Sequence, residues 1–440
     1  MWRVENMRLF AIILAFISLC LTGCSNTGNS TKKNAGVNTS LKYEKAPVIT
    51  ADTEVYNVMD FGAVGDGKKS DTAAIKEAYE YVSNNGGGVI YFPPGRYIVE
   101  GTLDLSHQNG NKVVFAGNPD RKKDTFIQST RSLNADFIIL SGSNIHFTYL
   151  TIRNLGETGS VVNMQYDNCT LTECAFLQEN PKNEEAAIVV SGSNNSISSC
   201  YFGPGTTNGY IVNFTKEPGR QSKNNSLTDS YLGGGLPKSV LIDTKDEGHC
   251  PEEIFISRNV FLFPAIGQVY VVSVKGLIIH NNMLDAATTA IILNPDLTGI
   301  SDVDIRYNYM GSQNKDIGMF ADRTDMAGGI VTDIANGGTI KNVVVTDNYF
   351  WGYYGIRITS SKFNSFKIIN NYFVESNGSS IYITESANNV IEGNIIYSGV
   401  GAVHTVYIGK IDDKTVFKDN AIAGSISVPD VEKYKDMNMF

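Results

Sequence analysis

A repeat constrains this chain more than any other feature. From about residue 144 onward, short runs of Val, Ile, Phe and Tyr bounded by Asn, Ser and Gly recur, among them N-I-H-F-T-Y-L-T-I, N-S-I-S-S-C-Y-F, E-I-F-I-S-R-N-V-F, G-L-I-I-H-N-N-M-L, N-V-V-V-T-D-N-Y-F and N-V-I-E-G-N-I-I. Aligned, they put Leu150, Cys174, Cys200, Ser230, Asn259, Asn282, Asn308, Asn348, Asn371, Asn394 and Asn420 at one equivalent position, 23 to 30 residues apart except for a step of 40 between Asn308 and Asn348. A fixed period of this size marks a chain that coils, because no single turn buries its apolar side alone. β-Branched and aromatic runs between turn-forming residues make strands, and the Leu at fixed offsets that a leucine-rich repeat needs is missing. The chain therefore reads as all-β, a single-stranded parallel β-helix. Asparagine suits the sharp turn of each coil: it tolerates left-handed backbone angles, and its amide can bond the equivalent amide ~4.8 Å above and below. At Cys174 and Cys200 the slot holds a small apolar residue, expected as stacked core and not as a reactive thiol.

The first residues read as an address. Arg3 and Arg8 precede an apolar run from Leu9 to Leu21, the length of a signal-peptide core and short for a membrane span. The run ends in Leu21-Thr22-Gly23-Cys24, which resembles the bacterial lipobox and implies cleavage before Cys24 and acylation of that cysteine. Residues 1–23 are then a lipoprotein signal peptide, and residues 24–52, rich in Ser, Asn, Thr, Gly and Lys, are a tether. The folded domain is expected over 53–440, anchored to a membrane and facing outside the cytoplasm. With 36 Lys plus Arg against 45 Asp plus Glu the net charge is −9, which excludes a nucleic-acid binder. Cys169, Cys174, Cys200 and Cys250 form no C-x-x-C pair, so neither a zinc site nor a thioredoxin-like motif is indicated.

The segment between tether and repeat carries a family signature. Asp60-Phe61-Gly62-Ala63-Val64-Gly65-Asp66-Gly67, Ser70-Asp71-Thr72-Ala73-Ala74-Ile75 and Gly86-Gly87-Gly88-Val89-Ile90-Tyr91-Phe92-Pro93-Pro94-Gly95-Arg96-Tyr97 resemble the opening of the pectate-lyase-like superfamily. The resemblance, close over residues 55–105, implies a right-handed parallel β-helix with a short N-terminal capping helix. It is shared by polysaccharide lyases, hydrolases, epimerases and tailspike-type depolymerases, so it fixes fold and not chemistry. Ser70 or Asp71 can cap that helix, and Ala74, Ile75, Ala78 and Val82 form an apolar face that would plug the open end of the coil.

Candidate site residues follow from alternation along the strand that precedes each Asn segment. Ile356, Ile358, Ile381, Ile383, Val406 and Ile408 should face inward, leaving Asp243, Tyr270, Asn294, Asp333, Arg357, Tyr382 and Tyr407 on an outer column. The 40-residue step implies an insertion over about 311–327, carrying Lys315, Asp322, Arg323 and Asp325 beside that column. Three chemistries compete. In β-elimination of a uronate polysaccharide, Arg357 serves as base while Asp333, Asp322 or Asp325 holds Ca²⁺ against the developing negative charge. In glycoside hydrolysis the carboxylate pair comes from Asp296, Asp333, Asp322 and Asp325. Polygalacturonase-like members carry N-T-D, D-D, G-H-G and R-I-K in order; this chain has Asn294-Pro295-Asp296 and Arg357-Ile358-Thr359 with neither D-D nor G-H-G between them. Asp243, Asp246 and Glu247 faintly resemble the fructan-cleaving transferases of this fold. In all of these Asn294, Arg323, Tyr270, Tyr382, Tyr407 and Asp243 are expected to bind substrate. A non-catalytic rod that binds glycans through its tyrosines is the other class, and a plain surface ion pair or aromatic stack is the bland alternative.

Overall fold

The computed structural model describes residues 53–121, 124–203, 209–233, 238–262, 267–286, 288–312, 328–332, 337–352, 354–376, 378–398 and 404–439. The candidate residues Cys24, Lys315, Asp322, Arg323, Asp325 and Asp333 lie outside these.

Each coil adds one strand to each of three sheets in turn, so that neighbours within a sheet are always one coil apart. Among the described residues, sheet A has 14 strands, from Val55–Asn57 to Val416–Lys418; sheet B has 14, from Asp66–Ser70 to Ala421–Ala423; sheet C has 13, from Leu103–Leu105 to Ile426–Ser427. Parallel pairing holds throughout, as the periodicity requires. Inward side chains stack coil upon coil: Ile330, Ile356, Ile381 and Val406 are fully buried in register, and Phe115 lies on Phe147 with ring centroids 4.6 Å apart. Ile358, Ile383 and Ile408 are buried beside them, in agreement with the expected alternation.

The turn from sheet A to sheet B carries the asparagine ladder. Nδ2 of Asn259, Asn282, Asn308, Asn348, Asn371 and Asn394 donates to Oδ1 of the next Asn at 2.9–3.1 Å, and Asn420 donates to Asn438 at 2.8 Å. The ladder asparagine is not the left-handed residue, contrary to expectation. That conformation belongs to the residue before it, Arg258, Asn281, Tyr307, Asp347, Asn370 and Asp419, with φ of 54–57°. The amide can then point into the turn while its neighbour reverses the chain. Cys174 and Cys200 sit buried in the same slot as free thiols, and burial pushes Cys174 up to about 12.

A helix over Thr72–Asn84 buries Ala74, Ile75, Ala78, Tyr79 and Val82 against the first coil. Asp71 precedes it but makes no side-chain cap. Its buried carboxylate instead accepts from Val64 N–H at 2.6 Å and Ile98 N–H at 3.1 Å, tying the Gly-rich loop to the strand beside the helix.

Candidate functional site

The register of sheet C fixes which outward side chains share a column. Asn163, Val189, Asn213, Leu241, Tyr270, Ile292, Val331, Arg357, Tyr382 and Tyr407 pair in succession. Tyr270, Arg357, Tyr382 and Tyr407 thus share one column, whereas Asp243 and Asn294 stand two residues further along their strands, beside the turn toward sheet A. The single expected column is two parallel ones, because period-2 alternation assigns a face but not a position along it. Val331, and not position 333, is the partner of Arg357.

Two groups of polar side chains result. In the first, the Arg357 guanidinium lies 5.5 Å from the Tyr382 ring centroid, and Tyr382 stacks on Tyr407 at 4.8 Å and 19°. Tyrosine pairs also run down sheet B, where Tyr201 and Tyr231 stack at 5.3 Å, so stacking alone does not mark a site. What distinguishes the sheet C group is the cation at its end.

The second group surrounds Asp243. Burial raises its carboxyl above the ordinary range, an effect partly offset by the neighbouring Thr215 hydroxyl, Asn213 amide and Lys245. Asp243 Oδ1, Asn213 Oδ1 and Thr215 Oγ1 are each buried without a hydrogen bond of good geometry, as is Asn163 Oδ1 two coils before Asn213. Tyr210 stands close by, its phenol pushed up by burial and then by Tyr270 and Asp243. Tyr270 Oη and Asn294 Nδ2 meet at 2.6 Å on the next coils. Glu217 accepts from Lys245 Nζ at 2.8 Å, leaving a second carboxylate near Asp243 paired with its own cation.

Asp296 closes a turn. Its Oδ1 accepts from Thr298 and Gly299 N–H at 2.9 and 3.2 Å, just after Asn294, which ties this carboxylate oxygen to the backbone of the turn. The Ca²⁺ expectation rests on Asp333, Asp322 and Asp325, all outside the described residues. Among the described residues no group of three or more His, Cys, Asp or Glu is placed to hold a metal ion. Sequence reasoning named Asp243, Tyr270 and Asn294 as outward candidates and did not name Tyr210, Asn213 or Thr215, which the structure places beside them. Asn213 and Thr215 were legible only as outward positions of their own strand, Val212–Phe214, and its continuation.

Comparison with known proteins bears on this arrangement. Residues 55–236 match the family model "Rhamnogalacturonase A/epimerase, pectate lyase-like", and residues 324–434 match "Periplasmic copper-binding protein (NosD)". Alginate lyase 7 of Azotobacter vinelandii is 54% identical over 51 residues, 12% of this chain; the match spans only 6% of that enzyme's length. Among solved structures, the surface adhesin PfbA of Streptococcus pneumoniae superposes with a TM-score of 0.55 at 15% identity, over 85% of this chain and 91% of that one. The A-module of mannuronan C-5 epimerase AlgE6 from Azotobacter vinelandii gives 0.51 at 17% identity, over 84% and 99%. At these identities the structural likeness is one of fold.

Proposed function

We propose that this chain, in which residues 55–236 form a pectate-lyase-like domain, cleaves an acidic polysaccharide lying along the outer face of sheet C, with Asp243 as the proton-transferring group. One observation carries the reading: Asp243 Oδ1, Asn213 Oδ1 and Thr215 Oγ1 are buried together on the outside of a sheet without hydrogen bonds of good geometry. Thr215 and Asn213 meet the Asp243 carboxyl only loosely, and a substrate hydroxyl would complete the hydrogen bonding of the group. Burial raises the Asp243 pKa, which favours this carboxyl over an exposed one as proton donor to a departing glycosidic oxygen in elimination or hydrolysis. Three strand steps of ~4.8 Å separate Tyr270 from Arg357, so a chain on Asp243 would continue past Tyr270 onto the Arg357–Tyr382–Tyr407 group about 14 Å beyond it. There the guanidinium can take a sugar carboxylate and the rings an apolar sugar face. The local identity to an alginate lyase supports the substrate class. The L-T-G-C ending of the apolar run supports a lipid anchor on Cys24, which would hold the enzyme outside the cytoplasm.

Incubating the full-length protein with a panel of acidic and neutral polysaccharides tests this, with ultraviolet absorbance of unsaturated ends followed first and reducing ends second. Products from an acidic polysaccharide are expected. Binding without products would sink the enzymatic reading and leave a glycan-binding rod.

A further inference from the structure

A pocket of about 180 Å³ opens at the edge of sheet C facing sheet A, lined by Gln165, Tyr166, Asp167, Arg220 and Gln221. It belongs to neither group above. Gln165 follows the strand Val162–Met164, two residues past Asn163, and so continues the column that holds Thr215 and Asp243. Three coils, about 14 Å at ~4.8 Å each, lie between Gln165 and Asp243.

Local chemistry positions each wall. Lys216-Glu217-Pro218-Gly219-Arg220 makes a turn in which Arg220 N–H donates to Glu217 C=O at 3.2 Å and Gly219 has φ of +74°, a conformation that favours glycine. Lys216 Nζ donates to the Arg220 carbonyl, fixing the turn from below. The Arg220 guanidinium lies 4.8 Å over the Tyr166 ring, and its Nη1 donates to Gln165 C=O at 3.2 Å. Asp167 Oδ1 accepts from Ser193 N–H at 2.7 Å. Among the described residues Arg220 and Asp167 form no ion pair with each other or with any other side chain, although they share one small pocket.

We infer that this pocket is a subsite for a hexuronate residue of the polysaccharide, an inference that rests on the proposed function. Opposite charges kept apart across a pocket suit a ligand that is itself two-sided. A uronate carboxylate takes the remaining N–H groups of Arg220, while its hydroxyls donate to Asp167 and bond the Gln165 and Gln221 amides. The Tyr166 ring supplies a flat apolar wall. A sulfate would meet the Asp167 carboxylate without hydroxyls to offer it, and a neutral sugar would leave Arg220 without an anion.

The test titrates the full-length protein with an alginate-derived oligouronate and with the same oligosaccharide after carboxyl reduction, monitored by calorimetry. Arg220→Ala should weaken oligouronate binding roughly tenfold or more and leave the reduced sugar unaffected. Arg220→Lys should restore it poorly, because a point charge does not replace the fork. Unchanged affinity of a folded Arg220→Ala for the oligouronate overturns the subsite. Cleavage assays of Asp243→Asn keep the two proposals separable. If Asp243-dependent cleavage persists while Arg220→Ala binds as wild type, the subsite alone falls; if binding depends on Arg220 but nothing is cleaved, the subsite stands and the catalytic proposal falls.

Discussion

Asp243 concentrates the chemistry in one carboxyl, and its behaviour with pH follows from burial. The folded state raises its pKa above the ordinary value of about 3.8, so the folded protein binds this proton more tightly than the unfolded chain does. Stability from this group is therefore complete below the unfolded pKa and is lost as pH rises through the folded one. Asp243→Asn should match the wild type in thermal stability in acid and exceed it near neutral pH, as melting curves across that range would show. Turnover should decline as pH rises through the same raised value, and Asp243→Asn should lower kcat by about 10²–10⁴-fold while binding persists. Arg357→Ala should change stability by no more than about ±0.5 kcal/mol and weaken acidic substrates in particular, a KM effect. Alternation made Asp243 and Arg357 legible as outward residues. It did not reveal Asn213 or Thr215 as partners of Asp243, because loss of solvent on an outer face depends on neighbouring coils and not on the local sequence.

Strands and turns divide the same way between what a pattern states and what stacking decides. The Asn ladder was readable because one residue type recurs at one spacing. Asn308 shows its weight: Nδ2 bonds Ile279 C=O and Asn348 Oδ1, and Oδ1 accepts from the backbone and side chain of Asn282. Asn308→Ala would orphan several of these groups at once. It should cost about 2–4 kcal/mol, measurable as a lower urea midpoint, whereas an exposed change such as Tyr201→Thr should cost far less. The left-handed residue fell one position earlier than expected, since the asparagine must keep its amide aimed along the ladder. The outer column divided because a two-residue shift leaves the face unchanged; only strand pairing tells Tyr270 from Asn294.

Across the whole molecule, three sheets wound from one repeat give a long surface on which binding groups recur from coil to coil. The pocket at Tyr166 and Arg220, the Asp243 group and the Arg357 group succeed one another along sheet C, an arrangement suited to a linear polymer. Far-ultraviolet circular dichroism should be dominated by strand. Cys24→Ser should move the protein from membranes to the soluble fraction; retention on membranes would refute the lipid anchor. The fold was legible from the repeat because repetition is a property of sequence, while the site was legible only in part because it is assembled from residues on successive coils. The most direct measurement compares wild type and Asp243→Asn on the acidic polysaccharide that the wild type binds, with product formation followed at matched occupancy. Products from the wild type and none from a variant that still binds are predicted; undiminished turnover by Asp243→Asn would contradict the assignment of sheet C's buried carboxyl as the proton-transferring group.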